Sequence, residues 1–127
     1  MGSSKALGLL VTVLAFLGGC GAASRVDAYN VYAIRAAQLE LWKEAALRWQ
    51  QALELAPEDP RFWNNLAVAY EAQGQLEKAL EAYRRAVALD PDRREFRRNL
   101  IRCERQLERK AEVQELPLPD ANAEESE

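Results

Sequence analysis

One pattern occurs twice in this chain, in residues 26–59 and again in residues 60–93, at an offset of 34 residues with no insertion. Three of the six matched positions are alanines, and the other three are an aromatic residue, a leucine and a proline in each copy. In order they are Ala33 and Ala67, Ala45 and Ala79, Trp49 and Tyr83, Ala52 and Ala86, Leu55 and Leu89, and Pro57 and Pro91. A fixed period of this length is typical of stacked units that each consist of two helices and a turn. Since such units bury their apolar faces only against their neighbours, we expect an elongated all-α fold with a concave binding surface.

Helix boundaries follow from the spacing of apolar residues and from glycine and proline. Gly74 suits the left-handed position after a helix, and Pro57 and Pro91 each follow a helix that they cannot continue. No segment alternates apolar and polar residues over a sustained length, so no strand is predicted. The connections are a few residues long, which makes neighbouring helices antiparallel. The five predicted helices are Asp27–Leu39, Lys43–Leu55, Arg61–Gln73, Glu77–Leu89 and Arg93–Lys110.

The fifth predicted helix starts a third copy of the pattern, but no second helix follows it. Its apolar residues share one face and its arginines share the opposite face. The apolar set is Phe96, Leu100, Cys103 and Leu107, and the basic set is Arg94, Arg98, Arg102, Arg105 and Arg109. A polar outer face is typical of the terminal unit of a stack, so residues 93–110 are predicted to be a capping helix. Cys103 is predicted to be structural, whereas Ile101 is either simply exposed or part of a contact with another chain.

The second copy resembles the tetratricopeptide-repeat (TPR) family. Residues 60–93 carry that family's aromatic, small and proline residues at its spacing, namely Trp63, Leu66, Ala67, Tyr70, Ala79, Tyr83, Ala86 and Pro91. The first copy matches at Tyr29, Tyr32, Ala33, Ala45, Trp49, Ala52 and Pro57. It departs at Ala36, where an aromatic is expected, and at Glu40, which stands where Gly74 lies in the next unit, and we therefore expect a looser first turn. The resemblance implies an α-solenoid of two helix–turn–helix units and a capping helix, together spanning residues 27–110.

The first 19 residues are predicted to be a signal peptide, with a positive charge at Lys5, an apolar run over residues 6–17 and small residues after it. The apolar run is shorter than the roughly 20 residues that a transmembrane helix needs. We therefore expect this segment to be cleaved rather than to remain as a membrane span.

Residues 17–20 (LGGC) resemble the lipobox of bacterial lipoproteins. The resemblance implies that Cys20 is lipidated, that residues 20–26 form a short tether, and that the protein is anchored to a membrane of the bacterial cell envelope. Gly21, rather than an aspartate, follows the cysteine, and by resemblance to the enterobacterial sorting rule this favours the periplasmic face of the outer membrane. The alternative is an ordinary signal peptide that contains a cysteine.

Residues 111–127 contain no lysine or arginine, several acidic residues, and two prolines at positions 117 and 119. Low hydrophobicity combined with like charge predicts an acidic, disordered tail. The whole chain has a formal net charge of −3, which argues against a general affinity for nucleic acid.

The chain contains no histidine, which is the most frequent general base and a frequent metal ligand. It also has no glycine-rich phosphate loop, paired-cysteine motif or nucleophile–base–acid set. We therefore expect no enzymatic activity, no catalytic residues, no cofactor and no metal.

In the TPR family the first helix of each pair lines the concave groove. Carried onto this chain, the resemblance implies that the groove is lined by Asn30, Ile34, Arg61, Asn64, Val68, Glu71, Arg98, Arg102 and Arg105. Its asparagines are expected to bond a peptide backbone, and its arginines to bind carboxylates. The implied partner is an extended or helical protein segment of acidic character. The arginines are alternatively a solvated surface, or a site on which the acidic tail folds back.

The sequence therefore predicts a lipid-anchored adaptor for protein–protein interaction, resembling assembly factors for pili, secretion pores or cell-wall enzymes. The alternative is a structural component that self-assembles by stacking its open repeat ends. The oligomeric state is left open.

Overall fold

The computed structural model describes residues 19–116, which form five α-helices. These are α1 (Gly19–Gln38), α2 (Trp42–Leu55), α3 (Pro60–Ala72), α4 (Leu76–Leu89) and α5 (Arg94–Glu115). Each helix packs against the next one in the chain, and the described residues contain no strand. The all-α solenoid of two helical hairpins and a final helix is thereby confirmed.

The start of α3 shows how local sequence sets a helix boundary. Asp59 is the N-cap residue, and its carboxylate accepts a hydrogen bond of 3.0 Å from the backbone N–H of Arg61. Pro60 occupies the first helical turn, where a missing N–H costs nothing. The Arg61 guanidinium also lies 2.6 Å from the Asp59 carboxylate. Hydrogen bonding to Arg61 outweighs burial and lowers the pKa of Asp59.

The two turns inside the hairpins have the same backbone geometry. Glu40 has a φ of 58° and Gly74, at the same place in the second unit, has a φ of 73°. The residue after each one donates a 2.9 Å backbone hydrogen bond into the preceding helix, from Leu41 to Ala36 and from Gln75 to Tyr70. The expectation of a looser first turn was wrong, because Glu40 adopts the left-handed conformation despite its side chain.

The core consists of two clusters, and both depend on buried alanines. The first joins α1, α2 and one face of α3, and the second joins the other face of α3 to α4 and α5. Ala45 and Ala79 are fully buried at equivalent places on α2 and α4, and their small side chains allow neighbouring helices to approach closely. Larger side chains, including Trp49 in the first cluster and Tyr83 in the second, fill the space between the helices.

Two predicted boundaries differ from the structure. Residues 20–26 were expected to be a tether, but α1 begins at Gly19 and includes them. Residues 111–115 were assigned to the tail, but they are the last part of α5. Neither segment contains a proline, so nothing in the backbone stops either helix there. Residues 111–115 are also rich in residues that favour helices, and residues 20–26 contain two alanines and an arginine. The signal-peptide prediction for residues 1–18 and the rest of the tail prediction lie outside the described residues.

Candidate protein-binding face

A shallow, uncharged notch lies between the two repeats. It has a volume of about 350 Å³, within the range of roughly 300–1,000 Å³ that is usual for ligand pockets. The notch is lined by Ile34, Ala37, Gln38, Trp42, Trp49, Asn65 and Val68. Two of the predicted groove residues, Ile34 and Val68, therefore lie around one cavity. The sequence assignment missed Asn65 and the two tryptophans, because it took groove residues only from fixed positions on the first helix of each unit.

The two asparagines that were expected to bond a partner bond other side chains of this chain. The Asn30 Oδ1 atom accepts a 3.1 Å hydrogen bond from the indole N–H of Trp49. Asn64 is only 4% exposed, and its Oδ1 atom accepts a 2.9 Å hydrogen bond from the Asn99 amide. Buried amides need such partners because an unpaired one costs free energy. In this structure Asn30 and Asn64 hold helices together, whereas Asn65 lines the notch.

The basic end of the predicted groove contains a two-point ion pair between α3 and α5. The Arg102 guanidinium donates to both Glu71 oxygens, at 3.0 and 3.2 Å. The Tyr83 hydroxyl donates to the same carboxylate at 2.7 Å, and Arg102 also donates to the Asn99 side chain at 3.1 Å. Glu71 and Arg102 were both expected to face a partner, but they are bonded to each other.

This network changes the acidity of its members. Burial works to raise the pKa of Glu71, but the hydrogen bonds from Arg102 and Tyr83 outweigh it and hold that pKa below its usual value. Burial, followed by the hydrogen bond to the Glu71 carboxylate, raises the pKa of Tyr83. Glu71 is therefore ionised and Tyr83 is protonated at neutral pH, which is the state that the hydrogen bonds require.

The other arginines of the predicted groove do not belong to the network around Glu71. Arg61 bonds Asp59 at the start of α3. Arg98 and Arg105 are exposed on α5, and neither forms an ion pair with any residue in the described range 19–116. Of the three predicted groove arginines on α5, Arg98 and Arg105 therefore form no ion pair within the described residues, whereas Arg102 is paired with Glu71.

The buried face of α5 closes the stack. Phe96 and Cys103 are its buried residues, and the Cys103 thiol donates to the Leu76 carbonyl oxygen at 3.6 Å. Burial raises the pKa of this thiol, so it stays protonated and unreactive.

Within residues 19–116 there is no group of three or more potential metal ligands, and no helix there is long and apolar enough to cross a membrane.

Comparisons with known proteins match this architecture. Residues 60–93 fit the family profile "Tetratricopeptide repeat", and residues 37–74 fit a second profile described as "TPR repeat". The two matches together span residues 37–93, which contain the last residues of α1 and the helices α2, α3 and α4. The second match crosses from one hairpin into the next, as expected for consecutive TPR units in one stack.

The chain is 41% identical over 49 residues to Superkiller protein 3 of Schizosaccharomyces pombe. This stretch covers 39% of the chain but only 4% of that much longer protein. The chain therefore spans only a small part of the length of this relative.

Two solved structures are similar in fold. A mutant of MamA superposes with a TM-score of 0.61 at 20% identity, covering 69% of this chain and 64% of that one. The TPR domain of Sgt2 from Aspergillus fumigatus superposes with a TM-score of 0.52 at 22% identity, covering 77% and 89% respectively. At these identities the likeness concerns the fold alone.

Proposed function

We propose that this protein is an adaptor that binds a segment of another protein in the notch between its two TPR units and holds it beside a membrane. TPR proteins are generally adaptors without enzymatic activity, and the fold suggests the same role here. The observation that carries the proposal is the notch itself, where α1, α2 and α3 surround a cavity of about 350 Å³ with no charged lining residue.

The lining of the notch suits an apolar side chain on the partner. Ile34 and Val68 provide aliphatic contacts and Trp42 provides a ring surface. The Gln38 amide and the Asn65 NH₂ group are proposed to bond the partner's backbone, since the Asn65 oxygen already accepts a 3.4 Å hydrogen bond from Asn64. Arg98 and Arg105 lie further along the stack. A partner segment could place one bulky apolar residue in the notch and pair acidic residues further along it with Arg98 and Arg105.

Membrane attachment is proposed through a lipid on Cys20, at the periplasmic face of the outer membrane of a bacterial envelope. The support is the LGGC sequence at residues 17–20 and the glycine after it. Because α1 begins at Gly19, the attachment point would belong to the first turn of the folded domain. The domain and its bound partner would then lie directly at the bilayer surface.

Crosslinking in cells tests the binding face. A photoreactive residue replaces Ile34 in the full chain, and the control carries it at Leu47, which is exposed to a similar degree (46% against 41%) but does not line the notch. The expected result is one discrete protein crosslinked from position 34 and not from position 47. Equal capture from both positions, or capture only from position 47, contradicts the proposed face.

Metabolic labelling tests the anchor separately. The full chain is expected to incorporate a labelled fatty acid and to fractionate with outer membranes, and Cys20→Ser is expected to lose both properties. Label that persists in the Cys20→Ser variant, or an unlabelled wild type, contradicts lipidation at Cys20. Neither result affects the binding face.

A further inference from the structure

A line of five residues runs along α1 and the residue that follows it, on the side that faces away from the core. They follow one another at intervals of 3, 4, 3 and 4, which places them on a single helical face. They are Arg25, Ala28, Tyr32, Arg35 and Leu39, and we call them the α1 stripe. All five are exposed, including Tyr32 at 58% and Leu39 at 70%.

The same positions in the second unit are covered by a helix. An offset of 34 residues takes the α1 stripe to Asp59, Phe62, Leu66, Ala69 and Gln73. The three central residues of this set are 2%, 4% and 0% exposed and belong to the core cluster shared with α2. The α1 stripe therefore occupies the place where a preceding helix packs in a TPR stack, and no helix of the described chain covers it.

The stripe does not have the composition of an ordinary core face. Alanine, tyrosine and arginine stand at positions 28, 32 and 35, where the second unit has phenylalanine, leucine and alanine. Arg48 of α2 joins Arg25 and the two tyrosines Tyr29 and Tyr32 around a cavity of about 360 Å³. Arg48 is paired with Glu44 at 2.8 Å, but Arg25 and Arg35 form no ion pair within the described residues. A helix that packed here with an apolar face alone would bury charge without an ionic partner, which is costly. The surface fits a helix that brings carboxylates as well as apolar side chains.

The far end of the same chain presents such a helix. Lys110 contacts Glu77 in the first turn of α4, so α5 extends beyond the start of α4 after that point. Every residue from 111 to 116 is exposed, with Val113 and Leu116 at 66% each. Glu112 and Glu115 share one side of this end and form no ion pair within the described residues.

We propose that the end of α5 in one copy of this protein packs on the α1 stripe of a second copy. Glu112 and Glu115, which are about 4.5 Å apart along their helix, both lie against Arg35, while Val113 and Leu116 cover Tyr32. The two surfaces lie on the first and last helices of the stack, and each is complementary to the other rather than to itself. The contact is therefore head-to-tail, and it leaves one unfilled stripe and one free α5 end available for further copies.

The experiment uses the full chain, expressed in cells as two differently tagged copies, with a photoreactive residue at Tyr32. The expected product contains both tags and joins position 32 to residues 111–116. The same photoreactive residue at Leu47, which is exposed but lies outside the stripe, is expected to give no such product. A product with only one tag and a different protein, a crosslink to another part of the second copy, or no product at all overturns the proposal.

Charge reversal provides the second measurement. Arg35→Glu alone, or Glu112→Lys with Glu115→Lys, is expected to lower the yield of the two-tag product by about tenfold, because like charges then face each other. All three changes together are expected to restore it. Glu81→Lys, at an exposed position on α4, is the control and leaves the yield unchanged. Circular dichroism identifies any variant that fails to fold. If the folded single and double variants lose the product and the folded combined variant does not regain it, the proposed pairing is overturned.

Discussion

Arg102 on α5 donates two hydrogen bonds, of 3.0 and 3.2 Å, to the carboxylate of Glu71 on α3 and thereby links the last helix to the second repeat. The Glu71 side chain is only 15% exposed, whereas the Arg102 side chain is half exposed. Removing the arginine leaves a largely buried carboxylate with fewer partners, and this costs more than the loss of a surface ion pair.

Arg102→Ala is accordingly expected to lower the free energy of unfolding by about 1–2 kcal/mol. Urea titration followed by circular dichroism measures the change. Arg105→Ala is the matched control, because Arg105 is exposed on the same helix and forms no ion pair with the described residues; it is expected to change the value by less than about 0.5 kcal/mol. Equal effects of the two substitutions would show that the pair does not hold α5 in place.

The lowered pKa of Glu71 makes part of the stability dependent on pH. A carboxylate whose pKa is lower in the folded chain than its ordinary value of 4.5 stabilises the fold above that value. The contribution disappears as the pH falls through the folded-state pKa. The melting temperature of Glu71→Gln is therefore expected to lie below that of the wild type at neutral pH, with the difference shrinking below pH 4.5. A difference that stays constant from neutral to acidic pH contradicts this assignment.

Substitutions of Glu40 and Gly74, which lie at equivalent turns, are expected to change the stability in opposite directions. Both residues are left-handed, with φ of 58° and 73°, and this conformation costs a non-glycine residue about 1 kcal/mol. Glu40→Gly is expected to stabilise the fold by several tenths of a kcal/mol to about 1 kcal/mol, and Gly74→Ala to destabilise it by about 1 kcal/mol. A Cβ atom at Gly74 would meet nothing within 4 Å, so the second change reports backbone strain alone. Thermal unfolding of both variants shows whether each substitution raises or lowers the stability. If both change it in the same direction, the explanation by left-handed backbone strain is wrong.

Cys103 is expected to resist thiol reagents in the folded protein. Its side chain is fully buried, and burial raises the pKa of the thiol, so both access and thiolate formation are reduced. The measurement is mass spectrometry of the Cys20→Ser chain after alkylation at neutral pH, with and without denaturant. Full modification only in denaturant is expected, whereas rapid modification of the native chain would show that α5 detaches from α4.

The repeat predicted the fold well because a 34-residue period determines which faces of the helices are buried. Ala45, Ala79 and Tyr83 lie where that period places them. The period does not determine which side chains pair across helices. Asn64 lies on the expected helix, but its partner Asn99 comes from the incomplete third unit, where the pattern gives no contact to predict. The ends of α1 and α5 were missed for a related reason, because they extend beyond the repeat and continue through local helix propensity rather than through packing.

Ile34 and Ile101 provide a matched pair for the binding face. Both are exposed isoleucines, but Ile34 lines the notch between the repeats and Ile101 lies on α5, away from it. Ile34→Asp is expected to lower the crosslinking yield from a photoreactive residue at Val68 by tenfold or more, because a carboxylate in an apolar site removes contacts and must be desolvated. Ile101→Asp is expected to leave that yield unchanged. Because neither side chain belongs to the core, both variants should melt within a few degrees of the wild type. Loss of crosslinking in both variants, or in neither, would place the partner on a surface other than the notch.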